Sequence, residues 1–530
     1  MRFAVLLSLT GLLPGLAQTP PASPAPDPAR MVAHDCSADG TVVNAITGAP
    51  VPRARVSLLS AGAQTTSLAD ASGRFRMEKA PCGTIQFFAR RAGFLENVTG
   101  LGGLNAERKP VIIESGGAAH DIRVLLTPQA VVTGTVTDDQ GDPVLGAQVA
   151  IFSSRVMQGR RTFQQTGQGG SNDLGEYRIS GLAAGKYVVC AHLNPGAAPL
   201  DLANGTTTGD KCFPGPLEAN ATTTFELAAG REMRSNLSLP SVPSVHVRGT
   251  VTGLPRARGV ALSLSRRGAV GTTSNRSSPV RPDGRFDISG VTPGAWLLAT
   301  DYWEDNRRYT ARIPLDIGGA DVEGLTVALS EGFTLQGSVR VESKDGVPPP
   351  RTQFGVSLRS AEPIAGGGRV VWGFDGTTFT LADLTPGVYR LEAFTVGSFH
   401  IRRAMYNGRD ISREDVPITQ ASGSIELVLS DESGSLEGQL EDREGKPAAG
   451  WAMILEAGRS PRNARSDETG RFRFPSLAPG NYTIYAWDDF NQVEYANPEW
   501  MRRYAEGTRL TVEVGQTSRI KLTLKQAPPQ

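Results

Sequence analysis

The side chains able to ligate a metal or move a proton are few: five histidines and four cysteines in 530 residues. A zinc hydrolase site needs a His-x-x-Glu pair and a distant third histidine, so that two imidazoles and a carboxylate hold the ion. The residues three positions after His34, His120, His192, His246 and His400 are Ser37, Arg123, Pro195, Gly249 and Arg403, and none is Glu. The sequence holds no Cys-x-x-Cys, no Gly-x-Ser-x-Gly elbow and no P-loop. The acidic pair Asp488-Asp489 reads as a loop face rather than an acid/base couple. Asp138-Asp139-Gln140-Gly141-Asp142 and Glu304-Asp305-Asn306 have the oxygen-rich composition of calcium loops but read as hairpin turns. No cofactor and no catalytic residue are expected.

What remains is recognition chemistry. Two segments interleave aromatics with charges. One is Tyr302-Trp303-Glu304-Asp305-Asn306-Arg307-Arg308-Tyr309. The other runs from Trp487-Asp488-Asp489-Phe490 through Tyr495 and Trp500 to Arg502-Arg503-Tyr504. Such a pattern suits a sugar- or peptide-binding face, and the candidate ligand residues are Trp303, Tyr309, Trp487 and Trp500. The competing reading is that these aromatics clamp a long connection onto its own domain or the next. Trp487 follows the inward series Tyr482, Ile484 and Ala486 out of phase, so it lies on the opposite sheet face. The residues from 491 to 506 are expected to fold Trp500 and Tyr504 back over it.

The elements that position these segments recur. One phrase is Gly73-Arg74-Phe75-Arg76-Met77 followed by Pro81-Cys82-Gly83, Ile85 and Phe87. It returns around Gly175-Glu176-Tyr177 with Gly185 and Tyr187, and around Gly284-Arg285-Phe286 with Gly294 and Trp296. Two more copies are Gly376 with Phe379, Gly387 and Tyr389, and Gly470-Arg471-Phe472 with Gly480 and Tyr482. Period-two alternation on both sides of a Gly turn reads as a hairpin-like strand pair. Tyr187, Trp296, Tyr389 and Tyr482 are expected in the core. An earlier phrase, Gly-x-Val, begins at Gly40, Gly134, Gly249 and Gly337, with Gly438-Gln439-Leu440 as its fifth copy. Alternating strands such as Ile122/Val124/Leu126 and Ile520/Leu522/Leu524 close each copy. A period near one hundred residues is too long for a solenoid and fits tandem β-sandwiches.

The run Gly134-Thr135-Val136, Gly141-Asp142-Pro143-Val144-Leu145-Gly146-Ala147 and Gly175-Glu176-Tyr177-Arg178-Ile179 resembles the carboxypeptidase regulatory-like domain. Gly134 to Ala191 and Leu436 to Ala486 carry it best. The resemblance implies a transthyretin-like, prealbumin-type β-sandwich in each repeat, without the peptidase domain itself. The expected fold is therefore all-β, a tandem array of about five Ig-like or transthyretin-like sandwiches. Their expected ranges are 36–128, 129–241, 242–331, 332–431 and 432–530.

Composition agrees. Glycine (61) and proline (36) exceed ordinary usage, which suits short strands joined by turns. Fifty-four Lys plus Arg against 53 Asp plus Glu leave no field to recruit nucleic acid. Arg2, the apolar run Phe3 to Leu13 and Gly15-Leu16-Ala17 read as a secretory signal cut after Ala17, followed by a Pro/Ala-rich spacer over 18–35. No later stretch is long and apolar enough to span a bilayer. Four cysteines in an exported chain favour two disulfides, and three pairings are possible. Confining each bridge to one repeat gives Cys36–Cys82 and Cys190–Cys212. The functional expectation is a secreted or periplasmic, non-catalytic scaffold or interaction protein. Its partner would be a protein or a polysaccharide of the cell envelope. The alternative is a carbohydrate-binding protein using repeats three and five.

Overall fold

The computed structural model describes residues 35–527 except 61–62, 99–110, 194–204, 218–222, 254–258, 268–275, 344–353, 361–368, 373–376, 396–398, 458, 460 and 505. The signal segment, most of the spacer, His34 and Gly376 lie outside the described residues.

The two recurring phrases meet across a strand pair. Gly40, Gly134, Gly249, Gly337 and Gly438 stand directly opposite Phe75, Tyr177, Phe286, Phe379 and Phe472. A Cβ on Gly40 would lie 2.0 Å from the Ile122 carbonyl oxygen, and one on Gly337 would lie 2.2 Å from the Phe379 ring. Each glycine is thus the gap into which a neighbouring strand or ring closes, which explains why the glycine and the aromatic recur together.

Sandwich 1 shows the plan. Its strands are β1 (Cys36–Asn44), β2 (Arg55–Ser60), β3 (Ala63–Leu68), β4 (Arg74–Ala80) and β5 (Gly83–Arg90). They are followed by β6 (Asn97–Val98), β7 (Val111–Ile113) and β8 (Ala118–Leu126). One sheet has the order β4-β1-β8, with β4 antiparallel and the closing strand β8 parallel to β1. The facing sheet has the order β3-β2-β5-β6, with β7 also on β5. Val42, Val56, Leu58, Phe75, Met77, Ile85, Phe87, Val124 and Leu126 project between them and are buried.

The same three-strand sheet, a first strand flanked by one antiparallel and one parallel neighbour, recurs at Ala130–Thr137, Val245–Thr252, Phe333–Glu342 and Gly434–Glu441. Four further apolar cores accompany these strands. Sandwich 1 lies in one compact unit (Met1–Gln129) and sandwiches 2 to 5 lie in another (Ala130–Gln530).

The expected hairpin is instead an arch. β4 pairs with β1 while β5 pairs with β2, so the short turn between them crosses from one sheet to the other. The same crossing separates Glu176–Leu182 from Gly185–His192 and Arg471–Leu477 from Gly480–Trp487. Inward residues alternate with period two in either arrangement, so the pattern in the sequence does not distinguish them.

The core aromatic fastens this turn. The hydroxyls of Tyr187, Tyr389 and Tyr482 donate to the carbonyls of Ala183, Thr385 and Ala478 at 2.8, 2.6 and 2.7 Å. The Trp296 indole donates to the Thr292 carbonyl at 2.8 Å. Each bond reaches back four residues into the crossing, satisfying the polar tip of a buried ring. Sandwich 1 has Ile85 at this position, and there the turn is held by the Cys36–Cys82 bridge and by Ser60 Oγ donating to the Cys82 carbonyl at 2.9 Å. The second bridge joins Cys190 to Cys212. It fixes a strand of the sandwich 2 insertion beside Phe152, Phe163, Val188 and Leu217 on the outer face of the sheet.

Sandwich 4 departs from the plan. The strand His400–Tyr406 pairs with the closing strand Ser424–Ser430, and with Arg409–Asp410 beyond it and Arg369–Trp372 on the opposite edge the first sheet has six strands. The α-helix of sandwich 5, α1, spans Pro498–Tyr504. Among the described residues no helix is long and apolar enough to cross a membrane.

Candidate functional site

In sandwich 5 the chain leaves the strand Gly480–Trp487 through two acidic residues with structural work. Asp488 Oδ1 accepts the Ala527 amide at 2.8 Å, and Asp489 caps the 3-10 turn Phe490–Gln492 by accepting the Asn491 amide at 2.9 Å. Asn497 Oδ1 then accepts the amides of Glu499 and Trp500 at 3.1 and 3.2 Å, and Pro498 occupies the first position of α1. These caps aim the helix so that the Trp500 ring lies 5.5 Å from the Trp487 ring. Trp487 is 1% exposed and Trp500 8%, in a cluster with Met453 and Val493. Phe490 stacks on Tyr495 at 5.8 Å and approaches Trp451 at 5.9 Å. Trp487 and Trp500 therefore cover each other, and neither presents a free ring face.

The segment has a second partner that the sequence does not announce. In sandwich 2 the strands Gln148–Met157 and Arg160–Gly170 form a hairpin whose turn, Gln158-Gly159, has φ of 49° and 71°. That turn seats against Tyr495: a Cβ on Gly159 would lie 2.4 Å from the ring, and the Ala496 amide donates to the Gly159 carbonyl at 2.9 Å. Beside it Arg161 donates to the buried Glu494 carboxylate through Nε at 3.0 Å and Nη2 at 2.6 Å. The partners stand 333 residues apart, so no local pattern could reveal the contact.

The sandwich 3 segment is built differently. Gly294–Glu304 and Arg307–Ile317 form one long hairpin, closed by Asp305-Asn306 with φ of 46° and 62°. Both central residues left-handed is the two-residue turn that matches strand twist. The tip is thus a turn, as is the Asp138 loop, where the carboxylate accepts the amides of Gln140 and Asp142 at 2.9 Å.

Near the tip of this hairpin the buried Arg308 pairs with Asp301 and reaches the Asp383 carbonyl of sandwich 4 at 3.2 Å. Arg312 donates to Thr385 Oγ1 at 3.2 Å. Trp303, opposite Arg308, is 51% exposed. Tyr309 is half-buried and pairs with Tyr302, ring centroids 6.4 Å apart. By alternation Trp303 and Tyr309 occupy opposite faces of the hairpin, so they do not form one platform.

The described histidines are held by structural contacts or burial. His120 and His246 bond Asp39 and Asp287 at 2.5 and 2.7 Å. His400 is buried, and burial together with Arg459, Arg402 and Arg462 pushes its imidazole down to about 4. Burial likewise lowers His192. Among the described residues the cluster closest to a metal-ligand set is Asp35, Cys36 and Cys82, and its two sulfurs are joined to each other.

The glycine–aromatic strand pair lies within residues 37–114 and 435–525, and both ranges match the carboxypeptidase regulatory-like domain family; the parallel closing strand falls inside the second range only. Sandwiches 1 and 5 each carry a carboxypeptidase regulatory-like domain. The matched ranges fall on sandwiches 1 and 5, whereas the sequence motif is fullest in sandwiches 2 and 5. In sandwich 5 this domain carries the covering segment between its core strand and the next.

No curated protein matches the chain. Among solved structures it is similar to a streptococcal ancillary pilin, at 12% identity and a TM-score of 0.17, over 54% of this chain and 100% of that one. It is also similar to the full-length RrgB pilus protein of Streptococcus pneumoniae, at 10% identity, a TM-score of 0.15 and 76% and 99% coverage. The major pilin subunit BcpA of Bacillus cereus matches at 10% identity, a TM-score of 0.15 and 74% and 99% coverage. At such scores these likenesses carry no argument about function.

Proposed function

We propose that this chain is an exported, non-catalytic scaffold: after removal of residues 1–17, five sandwiches within 36–530 hold interaction surfaces for a partner in the cell envelope. The observation that carries this reading is the use of buried charged side chains as joints. Glu494 is buried against Arg161 of sandwich 2, and Arg308 is buried at sandwich 4. Arg459 of sandwich 5 donates to the Ile401 carbonyl of sandwich 4 at 2.9 Å. Joints of this kind set domains in register without creating a cleft. The two disulfides suit an oxidising compartment.

The test is the secreted full chain against a hydrolase panel and against envelope fractions. The scaffold reading predicts no turnover and saturable retention on an envelope component. Turnover abolished by a single substitution would overturn it.

A carbohydrate-binding reading is favoured by one observation, the exposed Trp303 ring at a hairpin tip. With Trp487 and Trp500 covered and Tyr309 on the opposite face of the hairpin, it rests on Trp303. A pull-down on insoluble polysaccharides tests it: capture lost in Trp303→Ala supports it, and capture unchanged or absent overturns it.

A further inference from the structure

The outer end of the second sheet carries different chemistry from one sandwich to another at one row. In sandwiches 1, 2, 4 and 5 the first residue of the second strand faces the last residue of the core strand. The pair is Gln148–His192 in sandwich 2 and Trp451–Trp487 in sandwich 5. In sandwich 1 it is Arg55–Arg90. Like charges directly opposite on an antiparallel pair repel one another, so this row opposes folding unless something else compensates.

Two more arginines flank the row. Arg53 precedes β2 and Arg91 follows β5. Together with Leu68, Ala92, Phe94 and Glu96 the four arginines line a shallow, solvent-open cavity of about 440 Å³. Glu96 is its single carboxylate and is engaged by Arg90. Among the described residues Arg53, Arg55 and Arg91 have no acidic partner, which leaves the cavity with three surplus positive charges.

Arg53 adds a second, independent observation. It occupies a corner where its amide donates to the Ala69 carbonyl at 2.9 Å and the Ala69 amide returns to Ala54. The same corner in sandwich 2 is Gly146, bonded to Ser171 in the same way, and in sandwich 3 it is Gly259. The glycines have φ of 75° and 82°, and Arg53 has φ of 56°. A left-handed backbone strains any side chain but glycine, so an arginine there opposes stability and places a guanidinium at the cavity.

The geometry points to an anion-binding site formed by Arg53, Arg55, Arg90 and Arg91, taking a small organic ligand with two or three oxyanion groups beside an apolar face. Guanidinium forks match carboxylate and phosphate oxygens two at a time. Leu68 is exposed and Phe94 half-buried at the cavity wall, offering the apolar contact. The inference does not depend on the scaffold reading.

The test is calorimetric titration of the full chain at low salt with citrate as the carboxylate probe and pyrophosphate as the phosphate probe. One saturable site is expected for at least one of them, weakened as salt is raised. Arg55→Gln combined with Arg91→Gln should lower affinity at least tenfold. Arg76→Gln, an exposed arginine on the other sheet, should leave it unchanged. Arg53→Gly should raise the melting temperature of the ligand-free chain while lowering affinity, a split that a purely structural arginine would not produce. Absence of saturable binding to both probes, or an equal loss in Arg76→Gln, would overturn the site. So would undiminished affinity in the Arg55/Arg91 double variant.

Discussion

The connecting segments of sandwiches 3 and 5 start from the same composition and end in opposite states. Both mix tryptophan, tyrosine, acids and arginines after a core strand. In sandwich 3 the chain turns back at once through Asp305-Asn306, so both arms continue the sheet and Trp303 stays at the tip in solvent. In sandwich 5 the chain leaves the sheet at Asp488, and capped turns carry α1 back over the outer face. Trp487 becomes the floor of a small second core. A two-residue turn leaves no chain to make a cover, whereas the twenty residues between Trp487 and Thr508 do. Length and capping between the aromatics decide exposure, and aromatic content does not.

The largest effect that would break this contrast is at Trp487. Trp487→Ala should destabilise sandwich 5 by about 3–4 kcal/mol, as truncation of a buried aromatic does. Hydrogen exchange in the strand Gly480–Trp487 of the full chain reads it directly. Trp487→Phe should cost much less, because the indole N–H is buried without a partner. An unchanged exchange rate in the alanine variant would mean that the cover contributes nothing.

Sandwich 4 offers a third outcome, since its connecting strand begins at the buried His400. The imidazole is neutral in the fold with its value near 4, against about 6.5 when unfolded. The unfolded chain therefore binds more protons between these limits. The stability contribution is complete above about pH 6.5 and is lost as pH falls toward 4. Between pH 7.5 and 5 the loss should be about 2 kcal/mol. Denaturant titrations of the wild type should show it and those of His400→Gln should not. Parallel pH profiles in the two proteins would contradict the assignment.

A smaller change should follow from cutting the joint that the sandwich 5 segment makes with sandwich 2. Arg161→Ala leaves Glu494 buried without its cation and should cost about 1.5 kcal/mol, the partly exposed arginine moderating the loss. The signature is faster exchange in both Arg160–Gly170 and the 490–501 segment. Acceleration in only one of them would show that the two are not coupled.

At the bottom of the scale is Trp303. Trp303→Ala should shift stability by no more than about 0.5 kcal/mol, as for an exposed residue. A loss of 2 kcal/mol or more in a melt would show that the tip is packed and would erase the contrast with sandwich 5.

The all-β class, the five-fold repeat, both disulfide pairs and the burial of Tyr187, Trp296, Tyr389 and Tyr482 could be read from the amino-acid order alone. Each depends on local alternation, on turn residues or on spacing within one repeat, and such signals survive in one dimension. The lodging of Trp487 and Trp500 beneath a returning segment was one of two readings that the order allowed, the other being a ligand platform. The tertiary structure alone decided that the repeated strand pair is an arch between sheets, since period two looks the same from either side of a core. It alone brought Gly159 and Arg161 to Tyr495 and Glu494, because contacts across more than 300 residues leave no periodicity. It also set Arg55 opposite Arg90, beside the corner where Arg53 stands in place of the glycine of sandwiches 2 and 3. Which residues face one another across a sheet depends on strand register, and register is settled by packing against the whole domain.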